Sequence, residues 1–257
     1  MKYIVLIFGM LASASLVAAE IVKVGVYDFP PYAFVDKKAS GIAIQMMEEM
    51  NKFQDKYEFV PVLTTSKRRY RDFKAKKFDM VFFESKNWGW QDLPVDASVP
   101  FVTGFEVYVT QSKPGRGQEF FSDFKNKAMI GVLGYHYQFA NFKTDHGYLK
   151  ENFNLIQTDG QEKSLELILK GRGEIAVISK EYLNYHFLSK PANKNMLLIS
   201  DKYDQIYRHT ILVRKNYTPT VDYLNNLLMQ MEKSRVLTPL WQKYGLEVAT
   251  PLSAQKN

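Results

Sequence analysis

Val22, Val24 and Val26 occupy every second position, and their β-branched side chains suit a pleated, half-buried surface, which predicts a strand over residues 21–27. Pro30 and Pro31 end it. Each proline fixes its own φ and restricts the residue before it, so residues 28–32 are expected to form a stiff, extended corner holding Tyr27, Phe29 and Tyr32 at the strand's carboxyl end. After a polar turn over residues 36–40, Gly41 opens a stretch in which Met46, Met47, Met50 and Phe53 recur at three- and four-residue spacing, the pattern of an amphipathic helix.

This alternation continues. Residues 57–62 predict a second strand, and Thr65 or Ser66 is placed to cap a helix reaching residue 75. Asp79-Met80-Val81-Phe82-Phe83 is the near-continuous apolar run of a parallel strand buried on both faces. Strand, helix, strand, helix, strand makes a doubly wound lobe. Residues 106–110 predict an extended crossover, and Lys113-Pro114-Gly115-Arg116-Gly117 a linker. A second series follows, with strands at residues 128–133, 154–157 and 174–179 and a helix marked by Leu165, Ile168 and Leu169 that ends at Gly171. Residues 196–200 predict another strand, and residues 207–213 a return crossover. Thr218 caps the next helix, with Pro219 at its first position and an apolar stripe of Val221, Leu224, Leu228 and Met231. A last helix over residues 236–244 stops at Gly245. The expected architecture is an α/β two-lobed clamshell with two crossover strands. Lobe one comprises residues 20–110 and 207–257, and lobe two residues 111–206.

Composition narrows the class. A chain of 257 residues, 46% hydrophobic and 24% charged, holds enough apolar material for two cores. Lys2, an apolar run over residues 4–17 and the small Ala18 and Ala19 read as a signal peptide cleaved near Ala19, since the run is shorter than the roughly 20 residues of a membrane span. Export to the periplasm follows, without membrane insertion. The absence of cysteine excludes disulfides, thiolate metal sites, cysteine nucleophiles and a lipid-bearing cysteine. The formal charge of +7 drops to +6 when Lys2 leaves with the signal. In a compartment without nucleic acid, such a balance describes a solvated basic surface.

Several local sequences recur in a recognisable order: Phe29-Pro30-Pro31-Tyr32, then Gly41-Ile42-Ala43-Ile44-Gln45-Met46, then Phe73 to Asp79, Ala97-Ser98-Val99-Pro100-Phe101, and Gly171-Arg172 before Glu174-Ile175-Ala176-Val177-Ile178-Ser179. In these the chain resembles the family 3 periplasmic solute-binding proteins, the group containing amino-acid receptors of ABC transporters, over nearly all of residues 21–246. The resemblance implies a type II periplasmic-binding-protein clamshell that closes on a small-molecule ligand and works with an ABC permease. A monomer without cofactor or catalytic residues is expected. The resemblance also implies that Gly134-Tyr135-His136-Tyr137-Gln138 leads into a helix whose amino terminus receives an anionic ligand group.

Departures from the family pattern matter as much. The "T-x-x-R" arginine that clamps a ligand carboxylate is replaced by Glu84-Ser85-Lys86-Asn87-Trp88-Gly89-Trp90, and Ser179 stands where the family has the aspartate that holds an ammonium. Losing one partner of a buried charged pair costs about 2–5 kcal/mol. Loss of both points away from an ordinary α-amino acid and toward another small polar or amphipathic solute. A non-transport sensing or envelope-partner-binding module of the same fold is the alternative. A periplasmic dehydratase-like enzyme is a further one, weakened by the missing arginine.

Candidate chemistry is sparse. His136, His146, His186 and His209 are scattered, with no H-E-x-x-H spacing for a metal, and no G-x-S-x-G elbow occurs. Tyr27, Phe29, Tyr32, Trp88 and Tyr135 fall where strands end and are expected to wall the cleft. Glu84, closing a buried strand, either pairs with Lys86 or Arg69 or receives a cationic ligand group. Arg69, within a basic helix that is otherwise solvated, and Arg208, on the return crossover as a relocated clamp, are the candidates for an anion. Ser179 completes the expected ligand set.

Overall fold

The computed structural model describes residues 18–246; the signal-peptide reading falls on residues that lie, apart from Ala18 and Ala19, outside them. β1 (Glu20–Val26) leads into the proline corner, a short hairpin of β2 (Phe34–Val35) and β3 (Ala39–Ser40), and α1 (Ile42–Phe53). β4 (Tyr57–Leu63), α2 (Arg69–Lys74), β5 (Met80–Glu84) and β6 (Val95–Ala97) complete the first series. β7 (Val102–Gln111) crosses to the second, formed by β8 (Met129–Val132), α3 (His146–Phe153), β9 (Leu155–Thr158), α4 (Gln161–Leu169), β10 (Ile175–Ser179), α5 (Lys180–Ser189) and α6 (Ala192–Asn195). β11 (Leu197–Arg214) returns, followed by α7 (Val221–Lys233) and α8 (Leu237–Lys243).

β4, β1 and β5 are parallel in one lobe, and β9, β8 and β10 are parallel in the other. β7 and β11 are the two crossovers. The sequence pattern placed separate strands at residues 196–200 and 207–213, whereas β11 is one strand of 18 residues. Its first part pairs antiparallel with β7, and its last residues, Thr210 to Arg214, pair with β5 and β6. Hydrogen bonding therefore runs without a break along β4-β1-β5-β11-β7-β10-β8-β9, and the lobes share one curled sheet. Polar residues 201–205 broke the apolar pattern, but β7 pairs with the strand's backbone, which carries no side-chain signature.

Three local expectations change. The proline corner is not extended: Phe29 and Ala33 exchange both backbone hydrogen bonds at 2.9 Å and close a tight turn. The helix after β4 starts at Arg69, and Thr65 instead accepts the Arg68 N–H in the preceding turn. Thr220, not Thr218, caps α7, its hydroxyl accepting from the Tyr223 N–H.

The core is organised by the cleft. Ala176 and Ile178 of β10 pack under α4 and α5 in a small cluster with Leu165 and Ile168. Ile175 and Val177, on the opposite face, join a large cluster that runs through Phe29, Trp88 and Tyr135 into the first lobe's Val22, Met46 and Phe82. The period-two alternation of one strand thus sends half of its side chains toward the other lobe. Among the described residues no helix is long and apolar enough to cross a membrane.

Candidate functional site

The aromatic corner positions the first wall. Tyr27 directly follows β1, and the turn folds Phe29 and Tyr32 beneath it, the Phe29 and Tyr32 ring centroids 4.9 Å apart. Tyr32 packs on Phe83 at 4.8 Å and on His209 at 4.4 Å, and its buried hydroxyl has no hydrogen-bond partner. Phe83 takes a left-handed φ of 56°, and the pairing of β5 with β11 shifts register between Thr210 and Leu212. This bulge re-aims the end of β5, where Glu84 points inward.

Glu84, fully buried, resolves the choice left open by the sequence. Its Oε1 lies 2.9 Å from Arg69 Nε, without aligned hydrogen-bond geometry, and its Oε2 accepts from Trp90 Nε1 at 3.0 Å. Arg69 is 2% exposed; its guanidinium lies over Tyr27 and Tyr70, 4.8 and 4.4 Å from the ring centroids, and donates to the carbonyls of Ser66 and Gly134. Burial opposes the Arg69 charge, and Glu84 outweighs it, so the guanidinium stays protonated.

β7 supplies a carboxylate that the sequence reading passed over. Its register sets Glu106 between Ser179 of β10 and Gln205 of β11. The side chain is 3% exposed, lines the cleft, and makes no hydrogen bond or ion pair with any described residue. Burial, then Asp204 and Glu181, push its carboxyl well above the usual carboxylate range. The available signal was a single acid inside the otherwise apolar run from Val102 to Val109.

The wall from the second lobe is the segment after β8. Gln205 donates to the His136 carbonyl at 2.6 Å and accepts from Trp88 Nε1 at 3.1 Å, linking the lobes through one amide. Tyr135 donates to the Asp28 carbonyl at 3.1 Å, and Ser66 to the Leu133 carbonyl at 2.7 Å. Gly134, at φ 81°, approaches so closely that a Cβ there would stand 2.9 Å from the Lys67 backbone nitrogen. The lobes are closed on one another. The cavity left among Phe29, Trp88, Glu106 and Tyr135 is about 20 Å³, room for about one water.

The expected anion site is filled from within. Residues 138–140 form a single 3-10 turn, not a full helix, and the Asp204 carboxylate accepts from the Gln138 and Phe139 N–H groups at 2.8 and 2.9 Å and from the Tyr108 hydroxyl at 2.7 Å. Ser179 caps α5, accepting from the Tyr182 N–H, and does not line the cavity. Arg208 is exposed, on the face of β11 opposite to the buried Tyr207 and His209. The structure therefore gathers Tyr27, Phe29, Arg69, Trp88 and Tyr135 around the cavity, sets Glu84 and Tyr32 behind them, and leaves Ser179 and Arg208 aside.

Two histidines went unassigned. His136 lines the cavity, and burial and Arg69 lower its pKa to about 3. His209 lies behind it among Phe29, Tyr32, Phe83, Trp88 and Tyr207; neither ring nitrogen has an aligned partner, and burial lowers its pKa to about 3 as well, with only the Phe83 backbone acting the other way. Among the described residues no group of three or more His, Asp or Glu side chains is placed to hold a metal. A larger open groove of about 680 Å³ beside α4 is lined by charges of both signs, including Asp159, Glu162, Lys163 and Lys190, and by no buried polar atom lacking a partner. The interlobe cavity, smaller but surrounded by such atoms, is the better candidate.

Comparison with known proteins agrees with this fold. A substrate-binding protein of an ABC uptake transporter from Streptococcus pneumoniae, with bound histidine, superposes with a TM-score of 0.71 at 18% identity, covering 90% of this chain and 94% of that one. A mutant of ArgBP from T. maritima gives 0.67 at 20% identity, covering 87% and 94%. An ancestral amino-acid-binding protein, a precursor of cyclohexadienyl dehydratase, gives 0.65 at 18%, covering 88% and 95%. At such identities the likeness shows the fold, that of type II periplasmic binding proteins. A search of curated protein sequences found no significant match. The sequence profile of one family matches residues 22–247, and the chain belongs to the bacterial extracellular solute-binding proteins, family 3.

Proposed function

We propose that the protein is a periplasmic receptor that captures a small polar or amphipathic solute between its lobes and closes on it for import by an ABC transporter, as a binding protein and not an enzyme. The observations that carry this reading are the Glu106 carboxylate, buried and lining the interlobe cavity without an ion-pair partner among the described residues, and the unpartnered Tyr32 and Tyr207 hydroxyls and His209 ring packed behind it, on two lobes joined by crossover strands. Burying polar groups without partners is costly, and such groups are retained where a ligand satisfies them. Hinge closure around a solute is what this architecture performs.

An ordinary α-amino acid is not the ligand in this reading. Ser179 is engaged in capping α5, the backbone donors of the second lobe are taken by Asp204, and Arg69 is neutralised by Glu84. Arg208, on the exposed face of β11, supplies no relocated clamp. Thermal-shift screening of amino acids, amines, peptides, sugars and aromatic acids, followed by small-angle scattering, tests the function. A ligand at a hundredfold excess over Kd adds about 2.7 kcal/mol to stability, and any change in lobe separation on binding alters the radius of gyration. A library that moves neither the melting temperature nor the scattering curve defeats the receptor reading, and micromolar binding of an amino acid lost in Arg208→Ala restores the relocated clamp.

A further inference from the structure

Among the described residues the buried carboxylates fall into two groups. Asp72 has Thr64 and Lys77, Asp79 has Arg214, Glu84 has Arg69 and Trp90, Glu181 accepts from the Phe105 N–H, and Asp204 has Tyr108 with two backbone N–H groups. Glu106 has nothing comparable. The carboxylates of Asp204 and Glu181 act on it with its own sign. It faces a cavity walled mainly by aromatic rings, with Arg69, His136 and Gln205 completing the lining: Phe29 meets Trp88 edge-on at 5.9 Å and Tyr135 edge-on at 5.5 Å, and Tyr27 stacks parallel to Phe29 at 6.1 Å.

We propose that this cavity receives the ammonium group of an organic amine lacking a carboxylate, with Glu106 as its counter-ion and the rings of Phe29, Trp88 and Tyr135 as its cage. This rests on the receptor reading above and names the ligand class. A carboxylate facing aromatic rings is the arrangement that recognises ammonium cations, since the rings present the negative faces of their quadrupoles. A space for about one water matches an ammonium head, and the body of the amine extends toward the mouth of the cleft as the lobes part. The same walls give a ligand carboxylate no home. Among the described residues the one cation lining the cavity, Arg69, is held by Glu84 and by the Ser66 and Gly134 carbonyls.

Pairs that differ only by the carboxylate isolate the proposal: 2-phenylethylammonium against L-phenylalanine, agmatine against L-arginine, cadaverine against L-lysine, each titrated calorimetrically into the mature protein. At least one amine is expected to bind ten times tighter than its amino acid, and Glu106→Gln to weaken that amine at least tenfold while leaving the circular dichroism unchanged. If Glu106→Gln fails to fold, titration of the wild type in two buffers of different ionisation enthalpy reads the same contact. The titratable groups that interact electrostatically with Glu106 are Glu181 on α5, Asp204 and Tyr207 on β11, Tyr32 in the proline corner, and Tyr135 and Tyr137 beyond β8, with Arg69 and His136 lining the same cavity. Seating a cation beside Glu106 favours its ionised form, so amine binding is accompanied by proton release at pH values where the raised carboxyl is still protonated. Amino acids binding as tightly as their amines, amine binding that Glu106→Gln leaves unaltered, or amine binding without proton release at those pH values overturns the proposal. No amine binding, together with closure on another solute, overturns the ligand class and leaves the receptor reading standing; no binding by any compound of the library removes both.

Discussion

Arg69, the first residue of α2, and Glu84, the last residue of β5, lie 2.9 Å apart with almost no exposure of either side chain. The pair spends the two most suggestive charges of the sequence on each other. Desolvating both is expensive, and removing one partner strands the other. Glu84→Gln is expected to cost about 3–5 kcal/mol in urea unfolding, and Arg69→Met with Glu84→Leu in one chain to recover much of that. A single-variant cost below about 1 kcal/mol would show that the pair is not closed in solution.

The cleft histidines set the acid limb of stability. Both stay neutral in the folded protein down to about pH 3, whereas an unfolded histidine takes up its proton near 6.5. The unfolded chain therefore binds more protons in this window, so stability is full above pH 6.5 and falls as pH drops toward 3. Each ring contributes about 1.4 kcal/mol per pH unit there. His209→Phe, replacing a buried ring without polar partners by an apolar one of similar shape, is expected to flatten the slope by that amount and to keep stability at pH 7. Equal slopes in denaturant titrations from pH 4.5 to 7 would contradict it.

Glu106 acts in the opposite sense. Its carboxyl titrates above its ordinary value of 4.5 in the folded protein, so the folded state keeps a proton that the unfolded state has lost. Its contribution is full below the unfolded value and disappears as pH rises through the folded one. Glu106→Gln is expected to raise ligand-free stability at pH 8 by on the order of 1–3 kcal/mol, because an amide carries no charge to desolvate. Unchanged stability across pH 5 to 8 would place the carboxyl in water.

Asp204 pins the 3-10 turn at residues 138–140. Asp204→Asn weakens three charge-assisted hydrogen bonds, each worth about 1.5–3 kcal/mol. The amides of Gln138 and Phe139 are expected to exchange with deuterium faster than those of β8, and protection equal to wild type would mean that the turn holds by itself.

Gly134→Ala tests closure. The added methyl meets the Lys67 backbone nitrogen at 2.9 Å, and a backbone atom cannot swing aside as a flexible side chain can. The variant is expected to remain folded with its lobes parted, seen as a larger radius of gyration, and a scattering curve identical to wild type would refute the close approach.

The sequence by itself determined most of the scaffold. Val22, Val24 and Val26, the Met46, Met47 and Met50 stripe, and the run ending at Phe83 each announce their element, because period and burial are written in consecutive residues. The aromatic wall of Tyr27, Phe29, Trp88 and Tyr135 was legible for the same reason, since strand ends can be placed from strands. What only the tertiary structure decided was the pairing of charges. Whether Glu84 meets Lys86, Arg69 or a ligand depends on a bulge at Phe83 and on the start of α2, neither of which has a local signature. Asp204 fills the backbone donors at Gln138 and Phe139 from 65 or more residues away in the chain. Glu106 lacks a counter-ion because its register against β10 and β11 sets Ser179 and Gln205 beside it, neither of them a cation, and the Arg69 across the cavity is held by Glu84. Periodicity is a property of neighbours along the chain, whereas electrostatic partnership is a property of neighbours in space, and a buried charge feels only the second.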